Sequence, residues 1–475
     1  MRIIHFGANG WYARFDEGFD ETGVTRVAAA VGLLWGDTFP DGVVYVSYDV
    51  RPRSEHLASL AAAVLASYGL RTRVSSSAAP LPALEWAVAA DEEAIGGVVI
   101  SGSDLSCDYG GFLLRGPDGG PVSADFALQV DRHISGRADE RMGTAKSVDL
   151  VSPYVSALMQ EVDRSAIGAR PLRVIVDPLC GSSRGLLADL LRSCGCAVAE
   201  IHDGRPDALG DVLSRPVGPW VGDCGRAVAE QGADMGIAVD GDGCRIALID
   251  ELGHLVASHD LVALILEHLS VARGLRGRVV ATTATSVRVA RQAERLGCPL
   301  TIVPVGFQRV YEEMRERDVL LACEEYGGMC VPQHLMERDG ILAALLAVEM
   351  LSTGAAGLTG ATSAPKLSEM VRRLGQSLGH MDYARRDVRV DVATMQSFRN
   401  VLPGLNPETV AGRRPCCVSH ADGLRLGFDD GAWVMLRPSR TQTLVRIYAE
   451  AATTAERDQL LSSACAIVRA RGLEI

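Results

Sequence analysis

Short apolar runs alternate with stretches of helical period through residues 1–370, and the alternation restarts twice. In the first unit Gly42–Tyr48, Thr72–Ser75 and Gly97–Ile100 read as strands, with helices expected around Thr25–Leu34, over His56–Tyr68 and over Leu81–Ala90. The opening Met1–Phe6 reads as one more short strand, and Gly110-Gly111 as the end of the loop that follows Ile100. The second unit reads as a helix Val151–Ser165, then strands Arg173–Asp177, Ala197–Ile201 and Gly236–Asp240, the last returning through Ile246–Ile249 as a hairpin. The third has a helix His259–Arg273 and strands Arg278–Thr282, Leu300–Pro304 and Val319–Cys323. Its helix Arg338–Leu351 is apolar nearly all round and is expected to be buried. After residue 370 the pattern changes to short strands with turn signals between them, at Val388–Asp391, Arg425–Phe428, Ala432–Leu436 and Leu444–Ala449, closed by a helix Thr454–Arg471. The expected fold is α/β, with three α/β domains at 1–145, 146–252 and 253–370 and a smaller α+β C-terminal domain at 371–475. Active-site loops are then expected at the carboxyl ends of the strands.

Composition narrows the function classes. A length of 475 residues implies several domains, and 48% hydrophobic with 22% charged residues suits sizeable cores. The net charge of -12 excludes a broad basic face and with it general nucleic-acid binding. No apolar window reaches the length of a membrane span, and no leader precedes the first apolar run, so no membrane partner is expected. The 12 cysteines are scattered and form no C-x-x-C pair, which suits a reducing cytoplasm. Only Lys146 and Lys366 are lysines, so any anion must be gripped by arginine.

Four loops carry candidate chemistry. Ser103 stands where the apolar run ending at Ile100 breaks into small residues, a position suited to a nucleophile or phosphoryl carrier and equally open to a structural serine. Asp240-Gly-Asp-Gly-Cys-Arg245 sets two carboxylates at a strand end, where a hard cation or an ordinary Asp-Gly turn accounts for them. Glu324-Glu325 ends another apolar strand and suits sugar hydroxyls or a structural ion pair. Arg437, Ser439 and Thr441, with Arg446 in the next strand, form a candidate anion cradle or a solvated loop. Arg14 and Arg51 could face the same anion.

Taken in order, these loops resemble the α-D-phosphohexomutases, the phosphoglucomutase/phosphomannomutase family, almost end to end. Phe6-Gly7 with Gly10-Trp11 resembles the family's Phe-Gly-Thr-Asp-Gly-Trp-Arg, and Tyr48-Asp49-Val50-Arg51 with Ser54 its Tyr-Asp-Thr-Arg-x-x-Ser. Ser103 falls on the phosphorylated serine of Thr-Ala-Ser-His-Asn-Pro. The Asp240 loop is similar to Asp-Gly-Asp-Ala-Asp-Arg, Glu324-Glu325 with Gly327-Gly328 to Gly-Glu-Glu-Ser-Gly-Gly, and Arg437-Pro-Ser439 with Thr441 to the C-terminal phosphate loop. The resemblance implies four domains around a central cleft, the first three of one topology. It also implies Mg²⁺ held by Ser103, Asp240 and Asp242, a phosphorylated sugar or cyclitol as substrate and a sugar bisphosphate as activator. Catalytic roles would fall to Ser103, Asp104, Arg14 and Arg245, and substrate contacts to Glu324, Tyr326, Gln308, Arg437, Ser439, Arg440, Thr441 and Arg446.

The departures from the family's pattern cluster at the same loops. Asp104 replaces histidine beside the serine, Cys244 the third metal carboxylate, Tyr12 the first-loop arginine, Gln308 a lysine and Tyr326 the sugar-loop serine, while Arg440, Gln442 and Thr443 alter the phosphate loop. The expected function is a phosphosugar mutase of altered specificity in specialised metabolism, working through a phosphoserine and a bisphosphate, as a monomer or homodimer. Two alternatives stay open: a catalytically silent homologue that binds a phosphosugar or protein partner, and a one-way phosphatase or phosphotransferase.

Overall fold

Four sheets organise the chain in the computed structural model, which describes residues 3–7, 10–137, 141–204, 213–354, 365–439 and 443–470. The first sheet is ordered Trp11–Arg14, Tyr109–Arg115, Ala94–Ile100, Val43–Tyr48, Arg71–Ser75, Lys146–Val148. Its last four strands run parallel, whereas Tyr109–Arg115 returns antiparallel to Ala94–Ile100 and takes Trp11–Arg14 antiparallel on its other side. The second sheet, Ile246–Ile249, Met235–Val239, Arg173–Asp177, Ala197–Glu200, repeats the plan of a parallel centre with one antiparallel return. So does the third, Leu300–Val303, Arg278–Thr282, Val319–Cys323, Met329–Cys330. The fourth sheet is wholly antiparallel: Asp382–Arg389, Leu444–Ala451, Trp433–Pro438, Leu424–Gly427, Cys417–Ser419. Three mixed-sheet α/β domains and an antiparallel α+β domain are thus the architecture expected from the pattern.

Several local expectations are corrected. Ile3–Phe6 is not a strand; the first strand is Trp11–Arg14. Gly110 and Gly111 do not end a loop but lie inside the strand Tyr109–Arg115. They are small because a Cβ at Gly110 would stand 2.2 Å from the Phe19 ring, and one at Gly111 2.4 Å from the Ser101 carbonyl oxygen. Val151–Ser165 breaks into Val151–Glu161 and Arg164–Ala169, because Asp163 turns its carboxylate onto the Ala166 N–H at 2.9 Å and caps a new helix. The helix expected over His259–Arg273 is α-helical over Ser258–Glu267 and continues as a π turn over His268–Ala272. Lys146–Val148 joins the first sheet across the boundary at 145, and the helix Leu367–Leu378, which packs on Ser258–Glu267, spans the boundary at 370.

The helix Gly340–Thr353 is buried on all sides, as its composition requires. Asp339 caps it through the Leu342 N–H at 2.8 Å. Its side chains complete one continuous apolar core shared by the second and third domains, from Tyr154 and Leu158 through Ile237 and Leu264 to Leu346 and Leu374. The first and fourth domains have cores of their own. The fourth meets the third through a small cluster of Ala284, Trp433, Met435 and Tyr448.

Candidate active site

Each of the three mixed sheets sends one strand to its carboxyl end and returns it antiparallel, and the tip of that hairpin carries candidate chemistry. The tips are 101–108, 240–245 and 324–328; in the fourth sheet the paired strands end at Pro438 and resume at Leu444. The first three interlock through backbone. A Cβ on Gly241 would stand 2.6 Å from the Ser103 carbonyl oxygen, the Leu81 N–H donates to the Asp242 carbonyl at 2.8 Å, and the Gly340 N–H to the Gly243 carbonyl at 2.9 Å. Arg245 bridges to Gly328, and the Ile246 N–H donates to the Gly327 carbonyl at 3.2 Å. Glycine is required where these loops touch, since no side chain fits.

Ser103 is held in the left-handed region, at φ 51°. Such a conformation costs a non-glycine residue about 1–3 kcal/mol and persists only where the surroundings enforce it. Asp49 supplies the enforcement: its buried carboxylate accepts from Ser101 Oγ at 2.9 Å, from the Gly102 N–H at 3.0 Å and from Ser54 Oγ at 2.7 Å, and Ser101 Oγ accepts the Ser103 N–H at 3.0 Å. Arg51, paired with Asp49, donates through Nη2 to the Ser103 and Leu105 carbonyls at 2.9 and 2.6 Å. Arg51 is therefore a brace beneath the serine loop and does not face an anion. So held, Ser103 Oγ donates to Asp242 Oδ2 at 2.5 Å across the domain boundary.

Asp240 and Asp242 are both buried. Asp240 Oδ1 accepts from the Cys244 and Arg245 N–H groups at 2.7 and 2.9 Å, and its Oδ2 lies 3.0 Å from Arg245 Nη1. Burial, then the neighbouring Asp242, push the Asp240 carboxyl well above its ordinary range. Burial also opposes ionisation of Asp242, but Arg245 and the hydrogen bond from Ser103 outweigh it and hold that carboxyl below its usual value. Asp242 Oδ1 is buried with no hydrogen-bond partner among the described residues. Oxygen donors of this kind, one of them unsatisfied, fit a hard divalent cation. The set is one carboxylate short: Cys244 packs among Leu81, Leu84 and Val99, and burial raises its thiol well above the ordinary range, so it stays a neutral thiol. No group of three or more His, Cys, Asp or Glu side chains among the described residues is placed to hold a metal ion.

The remaining residues singled out from the sequence fall into two groups. Asp104 and Arg245 join the site: Asp104 Oδ2 lies 2.8 Å from Arg215 Nε and 3.8 Å from Arg245 Nη1. That carboxylate oxygen faces guanidinium groups, which neutralise its charge. Arg14 does not join; it pairs with Asp16 and Asp108 at 3.0 and 2.6 Å, while Tyr12, two residues back on the strand, is half-buried near Asp242 and Asp104. Glu324 is taken by Arg338 Nη1 at 2.9 Å, and Glu325 turns to the fourth domain, accepting from Tyr448 Oη at 3.2 Å. Tyr326 lies under the Arg385 guanidinium, 5.2 Å from its ring centre.

Arg437, expected in the anion cradle, makes an interdomain tie. Its Nε lies 2.9 Å from both Asp422 oxygens, and Nη2 donates to the Val305 carbonyl at 2.9 Å. Ser439 closes its hairpin, its N–H donating to the Leu444 carbonyl at 2.9 Å. Arg446 stands directly across from Arg437, with a buried Nε that has no hydrogen-bond partner among the described residues, and Gln308 Oε1 is likewise buried and unpartnered. Arg440 and Thr441 lie outside the described residues. Arg215 and Asp422 are the residues that sequence reasoning missed. Each is a lone charge in an irregular stretch, and only the fold gives it a partner.

A strained serine, a carboxylate pair and convergent arginines suit phosphoryl chemistry. Comparison with known proteins bears this out: the family's four domain profiles match in order, phosphoglucomutase/phosphomannomutase alpha/beta/alpha domains I, II and III at residues 4–141, 152–253 and 257–376, and the C-terminal domain at 388–466. The chain belongs to the phosphoglucomutase/phosphomannomutase family, the α-D-phosphohexomutases, and is a phosphohexomutase-like isomerase. Among its relatives are a phosphoglucosamine mutase of Frankia alni, 30% identical with 91% of this chain and 89% of the relative covered, and a phosphoglucomutase/phosphomannomutase of Thermococcus kodakarensis, 28% identical with 86% of each covered. A putative phosphomannomutase from Thermus thermophilus superimposes with a TM-score of 0.85 at 27% identity, covering 98% of this chain and 99% of the other. An N-acetylphosphoglucosamine mutase of Aspergillus fumigatus, solved in complex with GlcNAc-6P and magnesium, shares the fold alone, with a TM-score of 0.58 at 15% identity over 99% and 96% of the two chains. Among the described residues no helix is long and apolar enough to cross a membrane.

Proposed function

We propose that this chain moves a phosphoryl group between two hydroxyls of a phosphorylated sugar or cyclitol, through a phosphoserine on Ser103 and a sugar bisphosphate, with a substrate preference of its own within specialised metabolism. The observation that carries the reading is the strained Ser103 with its Oγ 2.5 Å from Asp242 Oδ2. When Ser103 Oγ attacks a bisphosphate, the Oγ–P bond forms, the sugar O–P bond breaks, the Oγ proton passes to Asp242 Oδ2, and the leaving sugar oxygen takes a proton from water. In the opposite half-reaction the sugar hydroxyl attacks phosphoserine and gives its proton to water, the Oγ–P bond breaks, and Asp242 returns the proton to Oγ. Arg245, anchored on Asp240, faces the transferred group, and Asp49 with Arg51 keeps Ser103 aimed. Mg²⁺, held by Ser103 Oγ, Asp240 and Asp242 and completed by water or phosphate oxygens, would supply charge neutralisation at the transferred phosphoryl. Arg446 and the loop 439–443 would receive the phosphate that stays behind, and Glu324 and Tyr326 the sugar.

Intact mass of the wild type beside Ser103→Ala, each treated with a sugar 1,6-bisphosphate and Mg²⁺, tests this. One added phosphoryl on the wild type alone supports it, and phosphorus NMR of candidate phosphosugars then identifies the substrate. The binding-only alternative is favoured by the neutral Cys244 thiol and by Arg437 being taken up by Asp422. Absence of phosphoryl from the wild type across several bisphosphates would move the conclusion there.

A further inference from the structure

Four charged groups from two domains meet beside Ser103. Arg245 Nη1 is shared between Asp240 Oδ2 at 3.0 Å and Asp104 Oδ2 at 3.8 Å, and Arg215 Nε lies 2.8 Å from the same Asp104 oxygen, an ion pair without hydrogen-bond geometry. Asp104 immediately follows the nucleophile on the first domain, whereas both arginines come from the second. Of the other arginines touching this loop, Arg14 is paired with Asp16 and Asp108, and Arg51 spends Nη1 and Nη2 on Asp49 and on two backbone carbonyls with its Nε buried. Arg338 is committed to Glu324 and Glu337. Arg215 and Arg245, with side chains 39% and 24% exposed, are thus the cations placed to meet an anion on Ser103 Oγ.

We infer that Arg215 contacts the phosphoryl group directly, and that Asp104 is its counter-ion in the unphosphorylated enzyme, displaced when Ser103 carries phosphate. A phosphoserine brings a charge of about -1.5 to -2 and three strong acceptor oxygens, so it outcompetes a single carboxylate for two guanidinium groups. The exchange keeps Arg215 paired in both states and avoids leaving a half-buried guanidinium without a partner. It also gives the site a positive charge in compensation for the carboxylate lost at Cys244, because the neutralisation of a moving phosphoryl is divided between metal and arginine. The assignment takes Ser103 as the phosphoryl carrier, as proposed above.

Titration of the full-length protein with inorganic phosphate in EDTA, followed by calorimetry, reads the arginine seat without turnover or metal. Asp104→Asn should bind phosphate about fivefold or more tighter than wild type, because the competing charge is gone while the side chain keeps its shape. Arg215→Ala should bind about tenfold weaker, and Arg215→Lys should fall between, since it keeps the charge but not the guanidinium fork. Unfolding midpoints of all three variants, with Arg215→Gln as a second neutral variant, separate loss of the seat from loss of fold. Affinities for Asp104→Asn and Arg215→Ala both within twofold of wild type would overturn the inference. Intact mass after bisphosphate treatment is read in parallel. The expected titrations with no phosphoserine would keep the anion seat and remove the phosphoserine reading; phosphoserine with unchanged titrations would do the reverse.

Discussion

Ser103 Oγ and Asp242 Oδ2 belong to different domains, yet they are 2.5 Å apart. The contact exists because Gly241 and the Ser103 carbonyl are in van der Waals register where no side chain could intervene. It makes Asp242 the group placed to accept the serine proton. Asp242→Asn preserves the shape and removes both the basicity and a charged oxygen for the cation. The rate of Ser103 phosphorylation by a sugar bisphosphate, followed by time-resolved intact mass, should drop by about 10²–10⁴-fold.

The third metal position is a buried thiol, and restoring a carboxylate there should be read in metal affinity. Cys244→Asp is expected to tighten Mg²⁺ binding by about tenfold, because a hard cation gains an oxygen ligand. Without metal the variant should be less stable than wild type, since the new charge sits among Leu81, Leu84 and Val99. Unfolding midpoints measured across a Mg²⁺ series check both: the variant should start lower and rise further.

Glu349 gives a pH signature. It lies in the buried helix Gly340–Thr353 and accepts from His268 Nε2 and Arg273 Nε at 2.9 Å each and from the Asp163 N–H at 2.8 Å. Burial opposes its ionisation, but these donors outweigh burial and bring its carboxyl down to about 2. The unfolded chain takes up a proton near the ordinary value of 4.5 that the folded chain refuses. The resulting stability, about 3 kcal/mol, is therefore complete above that pH and is lost as pH falls towards about 2. Urea midpoints between pH 7 and 2.5 should show this loss in the wild type, and Glu349→Gln should lack that component.

Asp422 ties the fourth domain to the third. It accepts from Arg437 Nε at 2.9 Å, from the Val305 N–H at 2.7 Å and from Thr283 Oγ1 at 3.1 Å. Asp422→Ala leaves Arg437 buried and unpaired, a loss of about 3–5 kcal/mol. Amide hydrogen exchange should quicken in Trp433–Pro438 before the first sheet responds, and kcat/KM should decline mainly through KM.

Fold and site were unequally legible in the sequence. The parallel strands and the helix Gly340–Thr353 were plain, because a fully buried element must be apolar throughout. The strand Tyr109–Arg115 was hidden, because close packing of Gly110 on Phe19 and of Gly111 on Tyr12 demands glycine where strand propensity would ask for bulk. Ser103, Asp240, Asp242 and Arg245 were readable as local motifs that meet in space. Arg437 was read as a ligand because its loop matched, while Asp422, 15 residues away, gave no sign that it would claim the guanidinium. Arg215 had no local signature; its partner Asp104 lies on another domain.

The core shared by the second and third domains has a mechanical consequence. Metal loop and sugar loop are mounted on one solid block, so no swing of one domain against another can alter their spacing. The first domain is tied to that block through Ala79 and Ala83 and through Leu81, Leu84 and Val99 around Cys244, whereas the fourth sheet rides on its own core. Rigid-body opening therefore parts the first three hairpin tips from the fourth sheet. A bisphosphate turning end for end between half-reactions would work against a fixed three-domain jaw, with the freedom it needs supplied by the fourth domain.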